Sequence, residues 1–150
     1  MKVNTTKKFS ALLISVFFFY TNVYSANIEF KSTIIKSPLP GLNISTGFFT
    51  LSSDQDLLIK LIESDIIGKI EIHSMEMKKT SDGLEIMQMR EIKLPKIING
   101  VPFVLKPGGN HLMLYEINPK ILSATNLILK FTFETNSGNL LTKDVVFTIN

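Results

Sequence analysis

The sequence has no cysteine and no tryptophan, and among its 150 residues only two histidines, His73 and His111. Without cysteine there can be no disulfide, no thiolate metal site, no catalytic thiol and no cysteine to carry a lipid at the N-terminus. Two imidazoles exclude any mechanism that needs several. Long apolar stretches are also missing: no run reaches the roughly 20 residues that a membrane-spanning helix needs. Charge is modest, at 19% of residues, against 45% hydrophobic residues that include eleven Phe. That balance excludes a disordered chain and suits one packed domain.

Residues 1–25 read as a cleavable secretory signal peptide. Lys2, Lys7 and Lys8 give a positive start, ALLISVFFFY at 11–20 gives a short apolar run, and Val23-Tyr24-Ser25 gives a cleavage site before Ala26. The mature domain is then expected to span 26–150. The whole chain carries 16 basic and 13 acidic residues, and loss of those three lysines leaves a neutral domain. Nucleic-acid binding calls for a basic excess, so it is not expected. The expected location is the periplasm, with no membrane span after cleavage. With no coiled-coil seam in the sequence, a monomer is expected.

The mature segment shows no repeat and no linker. Its punctuation includes Pro38-Leu39-Pro40-Gly41, Ser81-Asp82-Gly83, Asn99-Gly100, Pro107-Gly108-Gly109, Asn118-Pro119 and Ser137-Gly138-Asn139. Short runs rich in Ile, Val, Phe and Thr lie between these turns. They predict strands over 28–35, 45–52, 57–63, 69–79, 84–92, 101–106, 110–117, 126–135 and 140–149. Residues 54–63 also fit a short helix, and periodicity does not choose. Closely spaced strands predict an all-β, antiparallel sandwich. Alternation in 126–135 sets Leu127, Leu129, Phe131 and Phe133 inward; in 140–149 it sets Val145, Phe147 and Ile149 inward.

Three strands depart from ordinary alternation. In 69–79 the core face is Ile70 and Ile72, which turns His73, Met75 and Met77 outward with Lys69 and Glu71. In 84–92 the core face is Leu84, Ile86 and Ile92, which turns Met87 and Met89 outward. In 110–117 it is Leu112 and Leu114, which turns His111, Met113 and Tyr115 outward. Both histidines and five of the six methionines therefore fall on outward faces. A methionine that fills gaps in a core belongs on the inward face. A three-residue Ser81-Asp82-Gly83 loop pairs Met77 with Met87, Met75 with Met89 and His73 with Glu91. A loop shifted by one residue sets His73 opposite Met89, and a two-residue loop separates histidines from methionines. Imidazole and thioether together are soft, neutral donors that select monovalent copper over zinc or magnesium.

These residues resemble the periplasmic copper chaperones of the PCu(A)C family. Gly68-Lys69-Ile70-Glu71-Ile72-His73 resembles the family strand ending in a ligand His. Met87-Gln88-Met89-Arg90 resembles its Met-x-Met-Arg segment. Leu105-Lys106-Pro107-Gly108-Gly109-Asn110-His111-Leu112-Met113 resembles its LKPGG-x-H-x-M signature, and the 21 residues between Met89 and His111 match the family spacing. Pro40-Gly41 and Thr46-Gly47-Phe48-Phe49-Thr50-Leu51 resemble its N-terminal strand region. The resemblance implies a cupredoxin-like, antiparallel Greek-key β-sandwich that binds Cu(I) through His73, Met89, His111 and Met113. It also implies delivery of copper to an accepting protein, such as a cytochrome oxidase subunit or assembly factor. Fifteen residues separate His73 from Met89, a longer hairpin than the family motif has. The extra length leaves open whether Met75 or Met77 replaces or supplements His73.

No enzyme is expected, because neither histidine has the neighbouring carboxylate pattern of a triad. The alternative to a copper carrier is a secreted β-sandwich that docks a protein on its methionine face without metal.

Overall fold

A computed structural model of the chain describes residues 26–150; the expected signal peptide, 1–25, lies outside the described residues. The strands are β1 (Ile28–Ile35), β2 (Ser45–Ser53), β3 (Leu57–Glu63), β4 (Ile67–Lys79) and β5 (Glu85–Ile92). They continue as β6 (Lys96–Ile97), β7 (Phe103–Leu105), β8 (His111–Ile117), β9 (Asn126–Thr135) and β10 (Leu140–Ile149). One 3-10 turn, Pro119–Ser123, is capped by the Asn118 side chain, which accepts from the Lys120 N–H. Among the described residues, no helix is long and apolar enough to cross a membrane.

The strands form one continuous sheet in the order β5-β4-β8-β2-β1-β10-β9-β3-β6, with β7 also on β2. Curling of that sheet brings non-adjacent strands face to face. Phe49 of β2 meets Phe131 of β9 edge-on at 5.5 Å and Phe147 of β10 at 6.1 Å. Phe30 lies 4.7 Å from Phe131, and Phe131 stacks on Phe133 at 6.0 Å. Edge and offset ring pairs of this kind each add about 0.5–1.5 kcal/mol beyond burial of their area. The pairing is antiparallel except at β1 and β10, which run parallel. These first and last strands are separated by the rest of the domain, so no tight hairpin dictates their direction.

Period-two alternation explains most of the core. Leu127, Leu129, Phe131, Phe133, Val145 and Phe147 are buried, as the one-sided strands require. Residues 57–63 are strand, not helix, and pair with β9 and β6. Short β6 and the 3-10 turn carry too few residues for a periodic signal.

Two inward assignments are corrected by the structure. Leu84 and Ile86 are exposed. The β4–β5 hairpin runs past the end of β8, so no core lies beneath its outer half. His111, expected on a wet face, is only 5% exposed. Its ring is held against the chain at the start of β8 by a bond to the Gly109 carbonyl.

The hairpin follows the three-residue loop. The Thr80 N–H donates to the Leu84 carbonyl at 2.8 Å, and Gly83 takes a φ of +80°. His73 accordingly faces Glu91, Met75 faces Met89, and Met77 faces Met87. At the other end of β4, Gly68 passes close to Glu116; a Cβ there would lie 2.8 Å from the Glu116 Cβ. That contact is between backbone-anchored atoms, so a flexible side chain cannot relieve it. Gly68→Ala is expected to lower stability by about 1–3 kcal/mol, read as a lower thermal midpoint. An unchanged midpoint would show that β4 and β8 can separate there at no cost.

Candidate metal centre

The site grows from the β5-β4-β8 edge of the sheet. The core-facing pairs Ile70–Leu114 and Ile72–Leu112 fix how β4 lies on β8. Successive side chains alternate faces, so the same register sets Glu71 opposite Met113 and His73 opposite His111. The two imidazole centroids lie 6.0 Å apart with ring planes at 44°. Metal–nitrogen bonds of about 2.0–2.1 Å plus a ring radius of about 1.2 Å let two imidazoles share one ion at roughly this spacing.

Each ring has one nitrogen already engaged. His73 Nε2 lies 2.7 Å from Glu71 Oε2. A carboxylate only accepts, so Nε2 carries the proton and Nδ1 the lone pair. His73 Nδ1 is buried and has no hydrogen-bond partner. His111 Nδ1 lies 2.9 Å from the Gly109 carbonyl oxygen, which also only accepts. His111 Nε2 therefore carries that ring's lone pair. Tethering one imidazole N–H to a carboxylate or backbone carbonyl is how ligating histidines are oriented and made more basic. The Lys106–Asn110 turn supplies that carbonyl. Gly109 N–H donates to the Lys106 carbonyl at 3.1 Å, and Gly108 adopts a φ of +75°, which a β-carbon would disfavour.

Glu71 anchors the centre electrostatically. Its side chain is 8% exposed and accepts from both His73 and Lys69. Those two partners, His73 first, hold its carboxyl below the ordinary glutamate range despite burial. The same contact pushes the Lys69 ammonium up. Burial, and then the Glu71 charge, pushes the Tyr115 phenol up, so its hydroxyl keeps its proton; it sits 3.4 Å from His73 Nε2. The negative charge of Glu71 is thus balanced by its own partners, Lys69 and His73.

Of the four residues expected as ligands, His73 and His111 are register partners. Met113 is two residues beyond His111 on the same face, half-buried and diagonal to His73. Met89 stands on β5, one strand further out, diagonal to His73 and 59% exposed. Met75, half-buried, is its register partner and lies diagonal to His111. Cross-strand partners have Cβ atoms about 4.5–5.5 Å apart and diagonal neighbours about 7–8 Å, within methionine reach. Among the described residues, no three of His, Cys, Asp and Glu gather as a metal-holding group. The donors that do gather are imidazole and thioether. Glu71 and Tyr115 went unassigned in the sequence; the signal was their position two residues from His73 and Met113 on the same strand faces.

The protein-family model described as LpqE-like, a lipoprotein family, matches residues 28–143. The protein RP573 of Rickettsia prowazekii (strain Madrid E) is 29% identical over 99 residues, covering 64% of this chain and 52% of that protein. The chain therefore spans about half the length of the curated relative it matches. Among solved structures, a copper-bound PCuAC domain from PmoF2 superposes with a TM-score of 0.59 at 14% identity, covering 85% of this chain and 97% of that one. Apo DR1885 from Deinococcus radiodurans superposes at 0.52 with 14% identity, covering 100% of this chain and 95% of that one. At these identities the likeness is one of fold: a cupredoxin-like β-sandwich.

The tautomers are directly measurable. Long-range proton–nitrogen correlation at alkaline pH is expected to show an unprotonated Nδ1 in His73 and an unprotonated Nε2 in His111. The reverse pattern in either ring would mean that its proposed lone pair is already taken.

Proposed function

The chain belongs to the LpqE-like family, a relative of the PCuAC domains, and from that premise we propose that it is a Cu(I)-binding metallochaperone acting outside the cytoplasm. The reading makes the protein a carrier and not an enzyme: copper is its cargo, bound and released unchanged. His73, His111, Met113 and Met89 are the proposed ligands. The observation that carries the reading is the imidazole pair, 6.0 Å apart on adjacent strands, each with one nitrogen tied down and the other free. Two thioethers within reach complete a soft, neutral set that suits Cu(I) and leaves zinc and magnesium poorly served. The thioether donors carry no proton to displace.

The asymmetry of the site suits transfer. The imidazoles and Met113 are buried or half-buried, whereas Met89 is open to solvent. An incoming donor from an acceptor protein can replace the exposed thioether first, while the imidazoles keep hold of the ion. Ligand exchange in steps avoids a free copper ion. We propose that the acceptor is a copper-centre protein such as a cytochrome oxidase subunit or one of its assembly factors. The resemblance to PCu(A)C chaperones supports that assignment, and copper transfer to a purified acceptor domain tests it.

Competition with a colorimetric Cu(I) chelator tests the carrier reading. The purified protein is expected to withdraw one equivalent of Cu(I) with high affinity. His111→Ala and Met113→Leu are each expected to weaken that binding at least tenfold. No competition by the parent protein would reject the carrier and favour a protein-docking module; full competition by both variants would move the site elsewhere. Glu71→Gln keeps an acceptor for His73 but removes the charge, and is expected to weaken Cu(I) binding about 10-fold or more. An unchanged affinity would make Glu71 a structural residue only.

A further inference from the structure

Four of the six methionines stand on the projecting half of one hairpin. Strand β8 begins at His111, opposite His73, so β4 beyond that point pairs with β5 alone. Met75 faces Met89, and Met77 faces Met87. Alternation puts all four on the face of the ribbon that carries His73. Read outward from the imidazoles, that face is His73–Glu91, Met75–Met89, Met77–Met87, and then the Lys79–Glu85 ion pair at 3.5 Å. Two rungs of thioethers thus lie between two charged rungs, with no other residue type interposed.

Packing does not account for them. Met77 and Met87 are 61% and 59% exposed, and no core lies beneath this part of the ribbon. The opposite face carries Ser74–Arg90, Glu76–Gln88 and Lys78–Ile86, so the ribbon has a polar side and a sulfur side. Partners on one rung have Cβ atoms about 4.5–5.5 Å apart, closer than the combined reach of two methionine side chains. Neighbouring rungs are about 6.6–6.8 Å apart along the strands. Two sulfurs on a rung can meet on one ion, and the ion can pass to the next rung without leaving sulfur.

We propose that the Met77–Met87 rung is a second binding site for a soft monovalent metal ion, and that Met75 and Met89 connect it to the histidine pair. The inference rests on the proposed Cu(I) function for the identity of the metal. The outer rung takes up or gives away the ion where solvent and partners reach it; the inner rung shares Met89 with the main site. Thioethers alone bind less firmly than thioethers with imidazole, so the outer site is the weaker one. Zinc, which prefers imidazole, thiolate and carboxylate, is excluded by the donor type.

The test follows the methionine methyl and histidine ring signals of the purified, isotope-labelled protein by NMR during titration with Ag(I), a redox-inert soft ion, and with Cu(I) under reducing conditions. Two equivalents are expected to bind. The first moves the His111 ring signals and the Met113 methyl, and the second moves the Met77 and Met87 methyls; Zn(II) moves neither of those two methyls. The Met77→Leu/Met87→Leu double variant replaces exposed side chains by near-isosteres and should keep the parent amide spectrum. It is expected to bind one equivalent fewer and to give up Cu(I) to a chelator at least threefold more slowly. Unmoved Met77 and Met87 methyls at two equivalents, or an unchanged stoichiometry in the double variant, would overturn the second site and leave the main site standing. Movement at Met77 and Met87 without movement at His111 would uphold the second site and reject the histidine centre.

Discussion

The register of β4 on β8 is the constraint on which the candidate site depends. Ile72 against Leu112 and Ile70 against Leu114 are pairs that must face the core. Because the side-chain period of a strand is two, burying them obliges His73 to lie against His111 on the other face. A slip by one residue would drive an imidazole into the hydrocarbon core and expose Ile72. The free energy that locks the histidine pair is thus hydrophobic, although the pair itself is polar. A site placed this way needs no long-range polar network to assemble it.

Orientation comes from a different source. Glu71 and the Gly109 carbonyl each take one imidazole N–H, and neither lies in the core. Glu71 arrives on the same strand face as His73, two residues before it. Gly109 arrives through the turn that precedes β8, two residues before His111. Both histidines are therefore aimed by groups two residues upstream in their own chain. Local geometry fixes which nitrogen is free, and tertiary register fixes what that nitrogen faces.

Much of this was legible in the sequence because alternation is a strong signal in one-sided strands. The inward set of β9 and β10 and most of the strands follow from spacing and turn chemistry, whereas the choice among three hairpin registers, and of strand over helix at 57–63, is made only by the structure. Burial of the outward face was not legible. Alternation says only that His111 points away from the core, and not that its ring folds back against the turn at Gly109. The exposure of Leu84 and Ile86 was hidden for a related reason: apolar residues at alternate positions announce a core side, but not where the core ends. Strand β8 stops opposite His73, and the sequence of β5 carries no record of its neighbour's length. The parallel β1–β10 pair joins the two ends of the domain, and short-range spacing has nothing to say about it.

The proposed His73–His111 centre combines two kinds of donor, and X-ray absorption at the copper edge of the protein loaded with one equivalent of Cu(I) distinguishes them. The predicted spectrum has both imidazole nitrogen and thioether sulfur around a monovalent copper, and both contributions remain at full occupancy of that single equivalent. A spectrum with sulfur alone, or with nitrogen and oxygen alone, would contradict a site built on the His73–His111 pair.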